Sequence, residues 1–165
     1  MDFNLTKTET LFLQMIKRFA EKEVKPLAAE VDEQERFPHE TVEKMGKLGL
    51  MGIPIPVKYG GAGGTNQLYS MAVEELSRVC ATTGVILSAH TSLCAAPILE
   101  MGTEEQKMKY LPKLASGEWI GAFGLTEPNA GTDASAQQTI AVEDGDAWVL
   151  NGTKIFITNA VYASV

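Results

Sequence analysis

The chain has few of the side chains that bind metals or form disulfides. Among its 165 residues there are only two cysteines and two histidines. Cys80 and Cys94 each lie in an apolar stretch, and His39 and His90 are 51 residues apart. Protein metal sites need three or four such side chains at short, regular spacing. The sequence therefore predicts no metal site, and two reduced cysteines in the core of an intracellular protein.

Positive charge is also sparse. Lys and Arg total 14 against 21 Asp and Glu, which gives a net charge of −7, and there is no basic run to meet a phosphate backbone. We therefore expect no nucleic-acid binding. The first residues show neither a signal sequence nor an Arg- and Ser-rich presequence. The longest weakly polar stretch, residues 82–101, contains Thr, Ser, His, Pro and Gly, which predicts a buried helix and not a membrane span.

The first 117 residues carry the patterns of five helices. Capping boxes, in which a Thr is followed three residues later by Glu or Gln, predict helix starts at Thr6 and Thr103. Pro26 should kink the first helix. The fourth helix is apolar nearly all round and should be the central, most buried element. The other helices are expected to start near Pro38, Asn66 and Val85, with ends at Gly49 and Gly117; Val42, Met45 and Leu48 should face inward from the second.

After Gly117 the pattern changes to short strands. Residues 119–125 are apolar and should form a strand, and residues 138–143 alternate. Asp144-Gly145 predicts a hairpin turn into a strand at 147–150, and Asn151-Gly152 predicts a second turn into a strand at 154–158. So few strands leave an open edge. We predict a mainly α protein: a helical domain over residues 1–117, followed over 118–165 by the start of an incomplete β domain.

Two further patterns could indicate chemistry, but a structural role is the better interpretation. The glycine cluster at residues 60–64 lacks the Gly-Lys-Ser/Thr of a phosphate loop and follows no convincing strand, so we expect a flexible connection between helices. Ser92 and Cys94 lie near His90, which is the combination of nucleophile and base that a hydrolase requires. On a buried helix, these residues are expected to pack and to hydrogen-bond the preceding turn.

The loop at residues 122–135 is the most informative segment. It combines small residues with the hydroxyl groups of Thr126, Thr132 and Ser135. Such a loop offers backbone N–H groups and hydroxyls to a polar ring or a phosphate at little steric cost. A surface turn rich in proline and glycine would have a similar composition, so composition alone leaves both interpretations open.

Three segments together resemble one enzyme family. Phe123-Gly-Leu-Thr-Glu-Pro-Asn-Ala-Gly-Thr-Asp133 is similar to the flavin-contacting signature of the acyl-CoA dehydrogenases. Asn151-Gly-Thr-Lys-Ile-Phe-Ile-Thr-Asn159 and Lys109-Tyr-Leu-Pro-Lys-Leu-Ala-Ser-Gly117 match further family motifs at the family's spacing. The resemblance covers the whole chain. It implies a complete N-terminal helical bundle, the first strands of a middle β-barrel domain, truncated, and no C-terminal four-helix domain.

The resemblance also implies a reaction. Members of this family oxidise an acyl-CoA thioester to the trans-2-enoyl-CoA with bound FAD, while a glutamate removes the α-proton. No Glu in this chain, Glu127 included, matches that base by motif, so the base is expected beyond Val165 and the chain alone should be inactive. Similarity to the bacterial butyryl-CoA type favours a short-chain substrate and a cytoplasmic location. The expected partners are electron-transferring flavoprotein and, in the full-length protein, three further copies in a homotetramer.

Site residues follow from the same resemblance. Leu125 and Thr126 should bind the pyrimidine end of the flavin through N–H and hydroxyl groups, and Thr132 should reach the pyrophosphate and the CoA moiety. The implied cofactor-binding residues are Phe123, Leu125, Thr126, Gly131, Thr132, Phe156, Ile157 and Thr158. The implied substrate-binding residues are Thr132 and Phe123, with Ile86, Ala89, His90 and Leu93 on the fourth helix. Ordinary core packing is an equally good interpretation of the last four.

The sequence departs from the family pattern at three places. Phe156 stands where many members have Trp, Thr132 replaces the commoner Ser, and Ala160-Val-Tyr162 replaces a run that contains glycine. The alternative to an enzyme fragment is a non-catalytic helical interaction module with a β appendage. Such a module has no reason to carry both flavin-edge segments at this spacing.

Overall fold

Helices make up most of the chain in the computed structural model, which describes residues 4–165. Two π-helical segments, Ala20–Val24 and Ala89–Ala95, join α1 to α2 and α5 to α6, so that each pair forms one continuous helix. The helices within the described range are α1 Lys7–Phe19, α2 Lys25–Glu33, α3 His39–Lys47, α4 Asn66–Val79, α5 Ala81–Ser88, α6 Ala96–Met101 and α7 Glu104–Ser116. The strands in that range are β1 Ile140–Asp144 and β2 Ala147–Asn151. The prediction of a mainly α protein is confirmed.

Most predicted helix ends are confirmed by their capping interactions. The Thr6 hydroxyl accepts from the Glu9 N–H at 3.2 Å, and the Glu9 carboxylate accepts from the Thr6 N–H at 2.7 Å. The same box is formed at Thr103. Gly117 ends α7 with a φ of 75°, a conformation that glycine adopts without a steric penalty. The break expected at Pro26 takes the form of the π-helical segment just before it.

The core lies where α1, α4 and α5 pack together. Its fully buried members include Ile16, Met45, Leu50, Met51, Leu76 and Leu87. Burial of each such side chain contributes about 1.5–3 kcal/mol. The prediction that Leu48 faces inward was wrong, because α3 ends at Lys47 and the Leu48 side chain is 45% exposed.

The fourth predicted helix begins at Ala81 rather than Val85, after an extended Cys80. The continuous helix Ala81–Met101 is long and apolar enough to cross a membrane by length and composition, and 50% of that window is buried inside the fold. Core helices have this character too. It is not buried all round, since Val85 and Leu93 are about half exposed. This open side faces the region after Gly117.

The glycine-rich connection is tightly held. The Ala62 N–H donates to the Gly52 carbonyl at 2.9 Å, and the Gly64 N–H donates to the Ile53 carbonyl at 2.7 Å. A Cβ at Gly61 would lie 2.0 Å from the Ile55 carbonyl oxygen. The segment therefore connects two helices as expected, but close backbone packing replaces the open, flexible loop that we predicted.

The β region forms fewer strands than predicted. Only the hairpin of β1 and β2 is present in residues 118–165, with Val142 opposite Val149. Its turn is Gly145-Asp146, one residue later than expected, and Gly145 has a φ of 60°. Every residue of both strands is exposed.

The strands expected at 119–125 and 154–158 do not form. Residues 119–125 make only scattered backbone pairs, such as Ala122 N–H to the Val165 carbonyl at 2.9 Å. In the second segment, Phe156 has a φ of 57°, which no strand residue adopts. A strand needs a partner along its whole length, and no segment described here supplies one.

Candidate functional site

A cavity of about 190 Å³ lies between the α5–π helix and two segments of the region after Gly117. The helix contributes one small and one aliphatic side chain, and the two segments contribute aromatic, aliphatic and hydroxyl side chains. Its lining consists of Ala89, Leu93, Phe123, Leu125, Thr126, Phe156, Ile157 and Thr158. All eight were predicted as cofactor or substrate residues, so the fold brings together two segments that are about 30 residues apart in the sequence.

The backbone carbonyl groups of Leu125 and Thr126 are hydrogen-bonded among the described residues, whereas their N–H groups are not. The Leu125 carbonyl accepts from Lys154 Nζ at 2.9 Å and from Gln137 Nε2 at 2.6 Å, and the Thr126 carbonyl accepts from the Ile155 N–H at 2.9 Å. Within residues 4–165, the N–H groups of Leu125 and Thr126 donate to no acceptor. Buried or half-buried N–H groups normally find an acceptor. This pair of donors is therefore available to a polar ligand at the cavity wall.

Phe156 presents an aromatic ring at the rim of the cavity. The side chain is 90% exposed, and its backbone lies in the left-handed region at a φ of 57°. A non-glycine residue in this conformation costs about 1–3 kcal/mol, and such residues cluster at ligand sites. An exposed ring held on a strained backbone fits a planar, aromatic ligand.

Glu127 is a buried carboxylate that fastens the loop. It accepts from Lys154 Nζ at 2.8 Å, from the Gln138 N–H at 2.6 Å and from the Thr139 N–H at 3.0 Å. The hydrogen bond from Lys154 and the backbone N–H groups lower the pKa of Glu127 to about 2. A carboxylate this weakly basic, with its oxygens occupied, is poorly suited to remove a proton from a substrate.

Ile86 and His90 do not line this cavity. Ile86 lies in an adjacent groove of about 630 Å³, beside Ile157 and Thr158. His90 is completely buried, and both ring nitrogens meet backbone groups: Nδ1 accepts from the Gly121 N–H at 3.0 Å, and Nε2 is 3.1 Å from the Leu114 carbonyl oxygen. Burial lowers the pKa of His90 to about 4, so the ring is neutral at physiological pH. This placement leaves no surface of His90 for an acyl chain in the cavity.

Gly131 and Thr132 lie in an exposed loop outside the cavity. The loop turns at Pro128-Asn129, where the Glu127 and Ala130 backbones exchange hydrogen bonds of 3.1 Å. A Cβ at Gly131 would meet nothing within 4 Å. Both residues are thus free to contact a ligand that extends from the cavity across the surface.

Sequence reasoning missed Asn159 as a site residue. It directly follows Thr158, is 8% exposed, and has a φ of 69°. Its Nδ2 donates to the Gly121 carbonyl at 3.0 Å and to the Ile86 carbonyl at 3.2 Å. Asn is the non-glycine residue most tolerant of this backbone region, but nothing in the sequence indicated these two distant acceptors.

The remaining candidates from the sequence are metal ligands and nucleophiles. In the part of the chain that the structure describes, no group of three or more His, Cys, Asp or Glu side chains could hold a metal ion. Cys80 and Cys94 are both free and buried. The Ser92 hydroxyl donates to the Ser88 carbonyl at 2.7 Å, which is the helix contact expected for it.

Comparison with known proteins gives the site a context. The chain is 69% identical over 159 residues to the short-chain specific acyl-CoA dehydrogenase of Clostridium acetobutylicum, covering 96% of this chain and 42% of that protein. The structure of butyryl-CoA dehydrogenase from Megasphaera elsdenii superposes with a TM-score of 0.93 at 48% identity, over 99% of this chain and 44% of that one. A chain from a structure of the electron transferring flavoprotein of Acidaminococcus fermentans superposes with a TM-score of 0.94 at 53% identity, over 99% and 43%.

Family models cover nearly the whole sequence. The acyl-CoA dehydrogenase N-terminal domain matches residues 6–118, and the acyl-CoA dehydrogenase middle domain matches residues 122–165. The chain spans about two fifths of the relatives' length. Because the first match alone spans more than half of the chain, and the fold agrees over 99% of it, this chain belongs to the acyl-CoA dehydrogenase family.

Proposed function

We propose that this chain is the N-terminal part of an FAD-dependent acyl-CoA dehydrogenase that converts a short-chain acyl-CoA to its trans-2-enoyl-CoA. Residues 1–117 would be its helical domain and residues 118–165 the start of its middle domain. The observation that carries the proposal is the cavity itself, where the Leu125–Thr126 segment and the Phe156–Thr158 segment meet beside an open helix face. The short-chain and butyryl-CoA relatives support the substrate class.

The donors at the cavity fit one edge of a flavin. FAD, when bound, supplies the acceptor for the hydride that leaves the substrate's β-carbon. The free N–H groups of Leu125 and Thr126 and the Thr126 hydroxyl would donate to the pyrimidine end of its ring system, stabilising negative charge there. The Phe156 ring, with Ile157 and Thr158, would pack against the flat ring face.

The exposed loop would carry the phosphate end of the cofactor. Gly131 and Thr132, which are exposed and follow the cavity residues Leu125 and Thr126 in the sequence, would offer a backbone N–H and a hydroxyl. Lys154 is the only basic residue among residues 119–165, and its ammonium group is paired with Glu127. Dipoles alone must therefore neutralise the pyrophosphate. We expect the isolated 165-residue chain to bind FAD weakly for this reason.

Ala89 and Leu93 would contact the acyl chain from the helix, with Phe123 at the mouth. They line the same cavity, of about 190 Å³, as the two flavin-edge segments. No carboxylate at its wall is placed to remove the α-proton, since Glu127 is occupied by Lys154 and two backbone N–H groups. The base would therefore come from residues beyond Val165, and the 165-residue chain alone would be inactive.

Two experiments test the proposal. The complete product of the gene should be yellow as purified or after addition of FAD, and its visible flavin absorption should bleach under anaerobic conditions with butyryl-CoA faster than with a long-chain acyl-CoA. A colourless protein that stays unreactive with added FAD would support the interaction module instead. In parallel, the 165-residue chain should not reduce an artificial electron acceptor with butyryl-CoA, and turnover by it would contradict the assignment of the base.

Partner proposals rest on the same relatives. The similarity to a chain in the Acidaminococcus fermentans electron transferring flavoprotein structure supports electron transfer from the reduced protein to such a flavoprotein. We also propose a homotetramer for the complete protein and a cytoplasmic location. Steady-state reduction of purified electron-transferring flavoprotein by butyryl-CoA and the complete protein, with size measured by light scattering, would test the first two statements.

A further inference from the structure

The peptide unit of Gly121 is held from both sides by buried side chains. Its N–H donates to His90 Nδ1 at 3.0 Å. Its carbonyl accepts from Asn159 Nδ2 at 3.0 Å. Because Nδ1 of His90 is an acceptor here, the ring proton is on Nε2, which donates to the Leu114 carbonyl at 3.1 Å. His90, Gly121 and Asn159 thus form one hydrogen-bonded chain, which we call the Gly121 bracket.

The bracket connects both walls of the cavity to the same helix. Gly121 precedes Phe123 by two residues, and Asn159 directly follows Thr158. Asn159 Nδ2 also reaches the Ile86 carbonyl on α5 at 3.2 Å. The two segments that supply the predicted flavin contacts are therefore fixed to the α5–π helix at their ends, through one peptide unit.

The backbone at Gly121 packs closely against the α5–π helix. A Cβ at Gly121 would lie 2.6 Å from Cys94 Cβ and Sγ, so only glycine lets the backbone reach His90. The bracket places polar groups where apolar side chains would pack at no desolvation cost. Buried polar networks of this kind specify one arrangement of the groups that they join.

We propose that His90 and Asn159 are positioning residues, which hold the 123–126 and 156–158 segments opposite each other at the spacing that the flavin requires. They act through Gly121 and do not touch the cofactor or substrate. This inference rests on the proposed function, because it takes FAD as the ligand of the cavity.

Two His90 variants separate the halves of the bracket. In H90N, the amide oxygen can still accept from the Gly121 N–H, whereas H90Q places its amide near the Leu114 carbonyl and leaves the Gly121 N–H unpaired. N159G keeps the left-handed backbone but removes the donor to the Gly121 carbonyl. S92A, which removes a hydroxyl on the same helix outside the bracket, is the matched control.

The readouts, on the complete protein, are the Kd for FAD, the visible flavin spectrum, and kcat and KM for butyryl-CoA. We expect H90Q and N159G to raise the Kd for FAD by about threefold to tenfold, the equivalent of one lost hydrogen bond. The flavin spectrum should shift, and kcat should fall more than KM changes. H90N should recover most of the wild-type affinity, and S92A should match the wild type.

Each outcome decides the inference. If H90Q and N159G bind FAD with wild-type affinity and spectrum but unfold at lower temperature, or if H90N is as defective as H90Q, the positioning role is wrong. If none of the three bracket variants folds, the bracket is a folding element and the inference is also overturned. A wild-type protein that does not bind FAD at all would instead overturn the proposed function, which keeps the two failures distinct.

Discussion

Residues 4–117 and residues 118–165 are held together by different means. In the helical region, side chains of Thr6, Thr65 and Thr103 cap the helices that follow them, and the helices share a buried core. In the second region, the hairpin is exposed on both faces, and a few polar contacts fix the chain, chiefly those of Glu127 and Asn159. The cavity lies where these regions meet, so a rigid helix forms one wall and a polar-tethered backbone forms the other.

The largest expected effect tests the core against the hairpin. Leu87 on α5 is completely buried, and Leu150 on β2 is 70% exposed. Leu87→Ala should lower the free energy of unfolding by about 2–5 kcal/mol, because it leaves a cavity among packed helices. Leu150→Ala should change it by less than about 0.5 kcal/mol. Urea denaturation of the 165-residue chain would measure both, and equal losses would break the contrast between the regions.

The second prediction concerns His90, which joins the regions. Its pKa is about 6.5 in the unfolded chain and about 4 in the fold, so the unfolded chain binds more protons between these values. The free energy of unfolding should therefore fall as pH drops from about 6.5 to about 4, by up to about 3 kcal/mol. Glu40 and Glu127, whose pKa values are lowered to about 2, lose their contribution at more acid pH.

Denaturation curves across that pH window would measure the effect, with His90→Gln as the comparison. The variant should lack this part of the pH dependence, although it is less stable at neutral pH. An identical pH dependence in both proteins would show that folding does not lower the pKa of His90.

The third prediction concerns the Lys154–Glu127 ion pair, which is the main polar tether within residues 118–165. Lys154→Met eliminates the ammonium group that contacts Glu127 and the Leu125 carbonyl. The pKa of Glu127 should rise toward its ordinary value, because the hydrogen bond from Lys154 is the largest cause of its lowering. The loop should loosen at a cost of about 1.5–3 kcal/mol, the range for a hydrogen bond to a charged group.

Amide hydrogen exchange at Gln138 and Thr139, whose N–H groups donate to Glu127, would report this loosening. Amides of the helical core should exchange as in the wild type. Faster exchange throughout both regions would mean that the tether supports the whole fold.

The smallest expected effect is a gain of stability. Phe156 has a φ of 57°, and Glu35, which lines the adjacent groove but not the cavity, has a φ of 49°. Phe156→Gly and Glu35→Gly should each raise the free energy of unfolding by up to about 1 kcal/mol, since glycine adopts this backbone freely. In the complete protein only Phe156→Gly should weaken FAD binding. Thermal unfolding and an FAD titration would measure the two effects, and equal FAD affinity in both variants would exclude Phe156 from the site.

The sequence predicts the helical region better than it predicts residues 118–165. The helix ends at Thr6, Thr103 and Gly117 were predicted correctly because their caps are made by residues within one turn. The strand at 119–125 was predicted wrongly because a strand depends on a partner elsewhere in the chain. Local pattern alone cannot supply that partner.

In the candidate site, the sequence predicts some residues correctly and misses the contacts of others. The segments around Leu125 and Phe156 were identified through their resemblance to a family motif, and the fold brings them together. His90 was placed in the substrate pocket, because an apolar helix gives no sign that its ring meets Gly121 and Leu114, which are 31 and 24 residues away. Asn159 was missed as a site residue for the same reason: both of its acceptors are distant in sequence.

The π-helical segment Ala89–Ala95 makes the cavity wall sensitive to the number of residues in the helix. Each residue of a regular α-helix turns the chain by about 100°. A π-helical turn, closed by i→i+5 hydrogen bonds, holds one residue more than an α-helical turn. Deleting one residue from this segment would therefore convert it to a regular helix while α6 keeps its orientation relative to α5. Only side chains inside the segment, such as Leu93 of the cavity lining, would change direction. Gene variants with a single-codon deletion here should reshape the cavity wall, and so change the preferred ligand size, without displacing the flanking helices.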